Sequence, residues 1–136
     1  MEPRHFTLAQ ANRTLPFVTR VVGDLVAKAA EYRRLDAQRR ELTTGAKTAG
    51  AEQVERRMER LQAELEKLAA ELGPIGCELK DLDRGLIDFP ARLGEESIYL
   101  CWKAGEARID FWHTLDSGFA GRRPISELPA AVRGEA

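Results

Sequence analysis

Apolar residues recur at helical spacing through the first half of the chain and alternate through part of the second. Val18, Val22, Leu25, Ala29 and Tyr32 are spaced four, three, four and three positions apart, and Leu35 and Leu42 extend the stripe with some drift. This pattern predicts a long helix ending near Thr43-Thr44-Gly45. Upstream, Thr7-Leu8-Ala9-Gln10 fits a capping box, in which the Thr7 hydroxyl and the Gln10 amide serve free N–H groups at a helix start. Thr14-Leu15-Pro16 predicts a second start, because proline suits a first turn and breaks a helix interior. A short helix is therefore expected before the long one.

The small residues of Gly45-Ala46-Lys47-Thr48-Ala49-Gly50 predict a loop, with a helix from about Glu52 to Leu72 after it. Val54, Met58, Leu61, Leu65, Leu68 and Leu72 form a coiled-coil-like a/d seam along that helix. Gly73-Pro74 stops it. Two long helices with a short connection predict an antiparallel hairpin. A 28-residue span is roughly 42 Å long, more than three short strands cover. Part of the stripe is then expected to meet a second copy of the chain, giving a homo-oligomer.

Leu86–Ala91, Ser97–Lys103 and Arg108–His113 read as strands of an antiparallel meander, with turns at Gly94-Glu95 and Ala104-Gly105. The first turn pairs Ala91 with Ile98, Phe89 with Leu100 and Ile87 with Trp102. The second pairs Trp102 with Ala107, Leu100 with Ile109 and Ile98 with Phe111. In this register the helix-facing side holds Ile87, Phe89, Ala91, Ile98, Leu100, Trp102, Ile109 and Phe111. A one-residue shift of the second turn would put Glu106, Arg108 and Asp110 beside Trp102 and Leu100, so that register is rejected. Trp102 and His113 then face the helices, while Cys101 and Trp112 face away. Opposite faces exclude a Cys101–His113 nucleophile–base pair and a zinc ion shared by the two.

The expected architecture is α+β: a long antiparallel helical hairpin packed on a three-stranded antiparallel β-meander. One domain over 1–136 is expected, with a helical half at about 7–73, the meander at about 86–113 and a C-terminal tail at 114–136. A content of 43% hydrophobic and 32% charged residues suits a globular domain. A formal net charge of -1 attracts neither nucleic acid nor an anionic membrane. Arg33-Arg34, Arg39-Arg40 and Arg56-Arg57 are interleaved with Asp36, Glu41, Glu55 and Glu59 and have no aromatic residues among them, which argues against nucleic-acid binding. The start of the chain lacks signal-peptide features, and no apolar run is long enough to span a membrane. Two cysteines make no disulfide framework, so a reduced cytoplasmic protein is expected.

Several segments resemble a known family. Phe6-Thr7-Leu8-Ala9-Gln10-Ala11-Asn12-Arg13-Thr14-Leu15-Pro16 is similar to the opening of the bacterial DUF2203 proteins. Lys80-Asp81-Leu82-Asp83-Arg84-Gly85-Leu86-Ile87-Asp88-Phe89-Pro90 resembles their central motif. Leu100–Glu106, Trp112-His113 and Gly118–Arg122 resemble their closing motifs. The resemblance spans nearly the whole chain and implies its boundaries, but it supplies neither a reaction nor catalytic residues.

Two sets of side chains could carry chemistry. Asp81, Asp83, Asp88 and Glu106, with His113, could hold a divalent cation such as Mg²⁺ or Mn²⁺. Lys80, Arg84, Arg122 and Arg123, with the glycine-containing loop Asp116–Arg123, could bind an anion. The competing reading makes Asp81 and Asp83 turn residues, pairs Glu106 with Lys103, and leaves the arginines in surface ion pairs. The leading functional expectation is an interaction or assembly protein that self-associates through its long helices. The alternative is a small anionic ligand- or metal-binding protein, possibly a hydrolytic enzyme, with its site at the sheet edge.

Overall fold

The structure is a computed structural model that describes residues 4–44 and 50–135. Residues 45–49 of the loop expected over 45–50 lie outside the described residues. Helix α1 runs Leu8–Thr44 and helix α2 runs Ala51–Ala70. The Thr7 backbone N–H donates to Gln10 Oε1 at 3.0 Å, and the Gln10 N–H donates to Thr7 Oγ1 at 3.2 Å, so the capping box forms reciprocally.

The helix does not restart at Thr14-Leu15-Pro16; α1 continues through Pro16. Proline removes one helical hydrogen bond and clashes with the carbonyl four residues back, at a cost of about 3 kcal/mol. Ala11 and Leu15 before it, and Val18, Val21, Val22 and Leu25 after it, are buried in one core cluster. Burial on both sides of Pro16 offsets that cost and holds the two segments as one element.

Lys28 Nζ meets Glu64 Oε2 at 3.0 Å, and Arg57 Nε meets Glu31 Oε1 at 3.1 Å, so α1 and α2 lie side by side in opposite directions. Val54, Met58 and Leu61 are buried, and Leu72 is buried in the main core. The seam of α2 is thus occupied within the chain. Among the described residues, the large apolar side chains left exposed are Phe17 and Leu115.

Among the described residues the sheet has five strands rather than three: β1 Glu78–Asp81, β2 Leu86–Leu93, β3 Glu96–Lys103, β4 Phe111–Thr114 and β5 Arg123–Pro124, in that spatial order and antiparallel throughout. β1 and β5 are too short to show alternation in the sequence. Gly85, at φ +69°, turns the chain into β2 where a Cβ would sit 2.7 Å from the Ala104 Cβ and 3.0 Å from Val22 and Val26 side-chain carbons.

The β2–β3 register pairs Ala91 with Ile98, Phe89 with Leu100 and Ile87 with Trp102, as the alternation predicts. The β3–β4 register differs. Leu100 pairs with Trp112, Tyr99 with His113 and Cys101 with Phe111. Relative to a tight turn at Ala104-Gly105, β4 has moved by three residues. Residues 104–110 form a loop instead. Trp102 Nε1 donates to the Glu106 carbonyl at 2.9 Å, the Lys103 N–H to Glu106 Oε1 at 2.7 Å, and the Ile109 N–H to Asn12 Oδ1 at 2.9 Å. The loop takes Glu106, Arg108 and Asp110 out of the ladder, which removes the objection to the opposite strand parity.

An odd shift exchanges the faces of every β4 residue. Trp112 joins the helix-facing core with Ile87, Phe89, Leu100 and Trp102. Ile109 is buried from the loop. His113 moves to the outer face, alongside Asp88 and Cys101. The expectation that His113 faces the helices and Trp112 faces away is therefore corrected. Beyond β5, Leu128 and Val132 of the C-terminal segment are buried in the same core.

Candidate metal centre

Three adjacent strands bring three donors together on the outer face. Asp88 of β2 lies directly across from Cys101 of β3, and His113 of β4 pairs with Tyr99, two residues from Cys101. A carboxylate oxygen of Asp88, Cys101 Sγ and a His113 ring nitrogen all lie within 4.8 Å of one another. The three residues are 4%, 1% and 3% exposed.

The hydrogen bonds of His113 are informative. Nδ1 lies 2.7 Å from the Thr114 carbonyl, and Nε2 lies 3.0 and 3.1 Å from the two Asp88 oxygens. A carbonyl only accepts, so Nδ1 carries a proton. A carboxylate also only accepts, whereas a neutral imidazole has a single N–H. The Nε2–Asp88 contact therefore calls for one more cation, either a proton or a metal ion. The Nδ1–H bond to a backbone carbonyl is the support a metal-bound histidine ordinarily has on its far nitrogen.

Burial, followed by the nearby Asp88 charge, pushes the Cys101 thiol up to about 12. A thiol held in this way is a poor nucleophile. Moreover, His113 spends both ring nitrogens on Thr114 and Asp88, which leaves neither to take a proton from sulfur. The order of groups is thus wrong for a Cys–His–Asp triad.

The donor set fits a metal ion. Imidazole, thiolate and carboxylate together suit zinc and its neighbours better than magnesium. Donors on a tetrahedral ion of this kind lie roughly 3.3–3.5 Å apart, so small side-chain adjustments close the cluster around it. Three protein ligands leave a fourth position. A cleft of about 150 Å³ lies over the cluster, bounded by Lys80, Leu86, Tyr99, Leu115, Gly118 and Phe119.

The loop after β4 walls that cleft and is fixed by Arg122. One Arg122 amine donates to both Glu106 oxygens, at 2.7 and 2.9 Å, and to the Cys101 carbonyl at 3.3 Å. The guanidinium centre lies 4.0 Å from the centroid of Phe111 and 4.8 Å from that of Phe119. Its side chain is 11% exposed.

Other residues singled out in the sequence lie apart from the three donors. Asp81 Oδ1 accepts the Arg84 backbone N–H at 3.0 Å, in a turn. Asp83 pairs with Arg33 of α1. Glu106 is taken up by Arg122 and the Lys103 backbone. Of the acidic set proposed with His113, Asp88 alone reaches it. Cys101 lies on the face expected for it, across from Asp88; the tight-turn register excluded it from the set because it put His113 on the opposite face. Tyr99, Leu115 and Phe119 were also missed as cleft walls. The useful signal was the alternation of Glu106, Arg108 and Asp110, which marks those residues as outside the sheet.

The family whose pattern matches residues 4–125 is described as "Uncharacterized conserved protein (DUF2203)". The chain belongs to this family. The DUF2203 match takes in all five strands and therefore Asp88, Cys101 and His113. No curated protein matches the chain, and no solved structure does. No described helix of this DUF2203 protein is long and apolar enough to cross a membrane.

Proposed function

We propose that this protein binds one divalent transition-metal ion of the zinc class through Asp88, Cys101 and His113, and presents its fourth coordination position to the cleft. The carrying observation is that His113 Nε2 faces a carboxylate while its Nδ1 is already committed to a carbonyl. A metal ion at Nε2 satisfies both contacts and also accounts for a buried cysteine in the same cluster. Such an ion would lower the pKa of a bound water or polarise a bound oxygen, which is the basis of hydrolytic chemistry. The thiolate ligand calls for a reducing compartment such as the cytoplasm. Self-association through the helices has less support than metal binding, because Val54, Met58, Leu61 and Leu72 of the α2 seam are buried within the chain and Leu65 and Leu68 are half-buried against its core.

Protein purified without chelator should carry about one equivalent of zinc, iron or cobalt by elemental analysis. The Asp88→Asn, Cys101→Ser and His113→Gln variants should lose it. Metal-free protein that takes up no zinc in a calorimetric titration would sink this reading.

A further inference from the structure

The cleft over the metal cluster has a composition that selects its ligand. Among the described residues, one acidic side chain lines it, Asp88, which belongs to the metal cluster, and one cation, Lys80. The Lys80 ammonium is held 2.9 Å from Glu78 Oε1 and 4.6 Å from the centroid of Tyr99. Glu78 is itself held by the Tyr99 hydroxyl at 3.2 Å. The bond to Glu78 raises the Lys80 pKa, so the group stays charged. An ammonium has three N–H donors, and Glu78 occupies one of them.

Further positive charge gathers at the Phe119 wall. Lys103 Nζ lies 5.8 Å from the Phe119 centroid and the Arg84 guanidinium centre 5.6 Å, with Arg122 closer still. Lys103 has no carboxylate partner among the described residues, whereas Arg84 keeps Asp81 3.7 Å away. The remaining walls are apolar: Leu86, Leu115 and the Phe119 ring. Leu115 is 54% exposed at this cleft. A volume of about 150 Å³ is close to the size known to hold one benzene ring.

With a divalent ion bound, the cluster's charges would balance. A carboxylate, a thiolate and a neutral imidazole neutralise a divalent ion, so the fourth position is not already repelling an anion. A ligand suited to this cleft has an oxygen for the metal, negative charge for Lys80 and an apolar body no larger than a ring.

Resting on the metal-binding reading above, we infer that the cleft binds a small organic oxyanion, with one oxygen on the metal's fourth position, charge against Lys80, and an apolar body between Leu115 and Phe119. A cationic ligand would meet Lys80 with like charge, and a purely inorganic ion would leave the apolar walls unused.

The test uses the full chain loaded with cobalt(II), whose visible absorption reports its coordination. Benzoate is the probe, with acetate, inorganic phosphate and benzyl alcohol as comparisons. Benzoate should perturb the cobalt bands saturably and bind tighter than acetate or phosphate, while benzyl alcohol should leave them unchanged. Lys80→Met should keep cobalt but weaken benzoate about tenfold or more, as expected for a lost charge-assisted contact. Leu115→Ser should weaken benzoate and leave acetate unaffected. Benzoate without effect on bound cobalt, or unaltered binding in Lys80→Met, would overturn the anion assignment and leave the metal reading intact. Phosphate binding as tightly as benzoate would overturn the organic body. If no cobalt binds at all, the metal reading fails and this inference falls with it.

Discussion

His113 Nε2 stands 3.0 and 3.1 Å from the two carboxylate oxygens of Asp88, with both side chains nearly closed off from solvent. Their strands are not neighbours; β3 lies between them and contributes Cys101. The pair therefore ties three strands together as well as forming the floor of the cleft.

Breaking this pair from one side leaves a buried polar group without its partner. Asp88→Ala should cost about 3–5 kcal/mol in urea unfolding of the metal-free protein. The double variant Asp88→Ala/His113→Ala should cost less than the sum of the two single variants. Strict additivity would show that the two side chains do not interact.

Cys101 gives a pH dependence of definite sign. Its thiol is raised from 9.0 to about 12 in the folded chain, chiefly by burial. Cys77 is raised from 9.0 to about 11, again chiefly by burial. Above pH about 9 the unfolded chain releases these protons and the folded chain keeps them, so the unfolded state binds fewer protons and stability falls as pH rises. Metal-free protein should lose stability progressively between pH about 9 and about 11. Cys101→Ala should flatten part of that decline. Zinc binding must displace the same proton, so zinc affinity should rise with pH. An affinity independent of pH would rule out thiolate ligation.

The Arg122–Glu106 pair should matter both for stability and for the metal. Glu106→Ala strands a guanidinium that is 11% exposed between two phenyl rings, and about 2–4 kcal/mol of stability should be lost. Arg122 also holds the Cys101 carbonyl, so zinc affinity should fall about tenfold or more. Unchanged zinc affinity in a folded Glu106→Ala protein would show that the loop does not support the cluster.

Leu61 separates intramolecular packing from assembly. It is fully buried, so Leu61→Ala should cost about 2–5 kcal/mol in thermal or chemical unfolding. Its sedimentation coefficient should match that of the parent protein. A change in oligomeric state with little loss of stability would show that the seam meets a second copy.

Much of the fold is legible because it is local. The capping box at Thr7–Gln10 depends on residues three apart, and the α2 seam on spacings of three and four. The β2–β3 register follows from a two-residue turn flanked by clean alternation. Pro16 misleads because the cost of an interior proline is local, while the packing that offsets it comes from a sheet about 70 residues away.

The candidate site was not legible for a single reason. Asp88, Cys101 and His113 belong to separate strands, and which face each occupies depends on how many residues leave the ladder between β3 and β4. The sequence alone determined the capping box at Thr7–Gln10, the apolar stripe of α1 beyond Pro16, the seam of its partner, the β2–β3 register and the opposition of Asp88 to Cys101. Only the tertiary structure decided the length of the 104–110 loop, because that loop is held by Asn12 of α1, by its own Glu106 and by Arg122. Strand parity has a period of two, so this odd displacement of β4 carries His113 from the helix side to the side of Asp88 and Cys101.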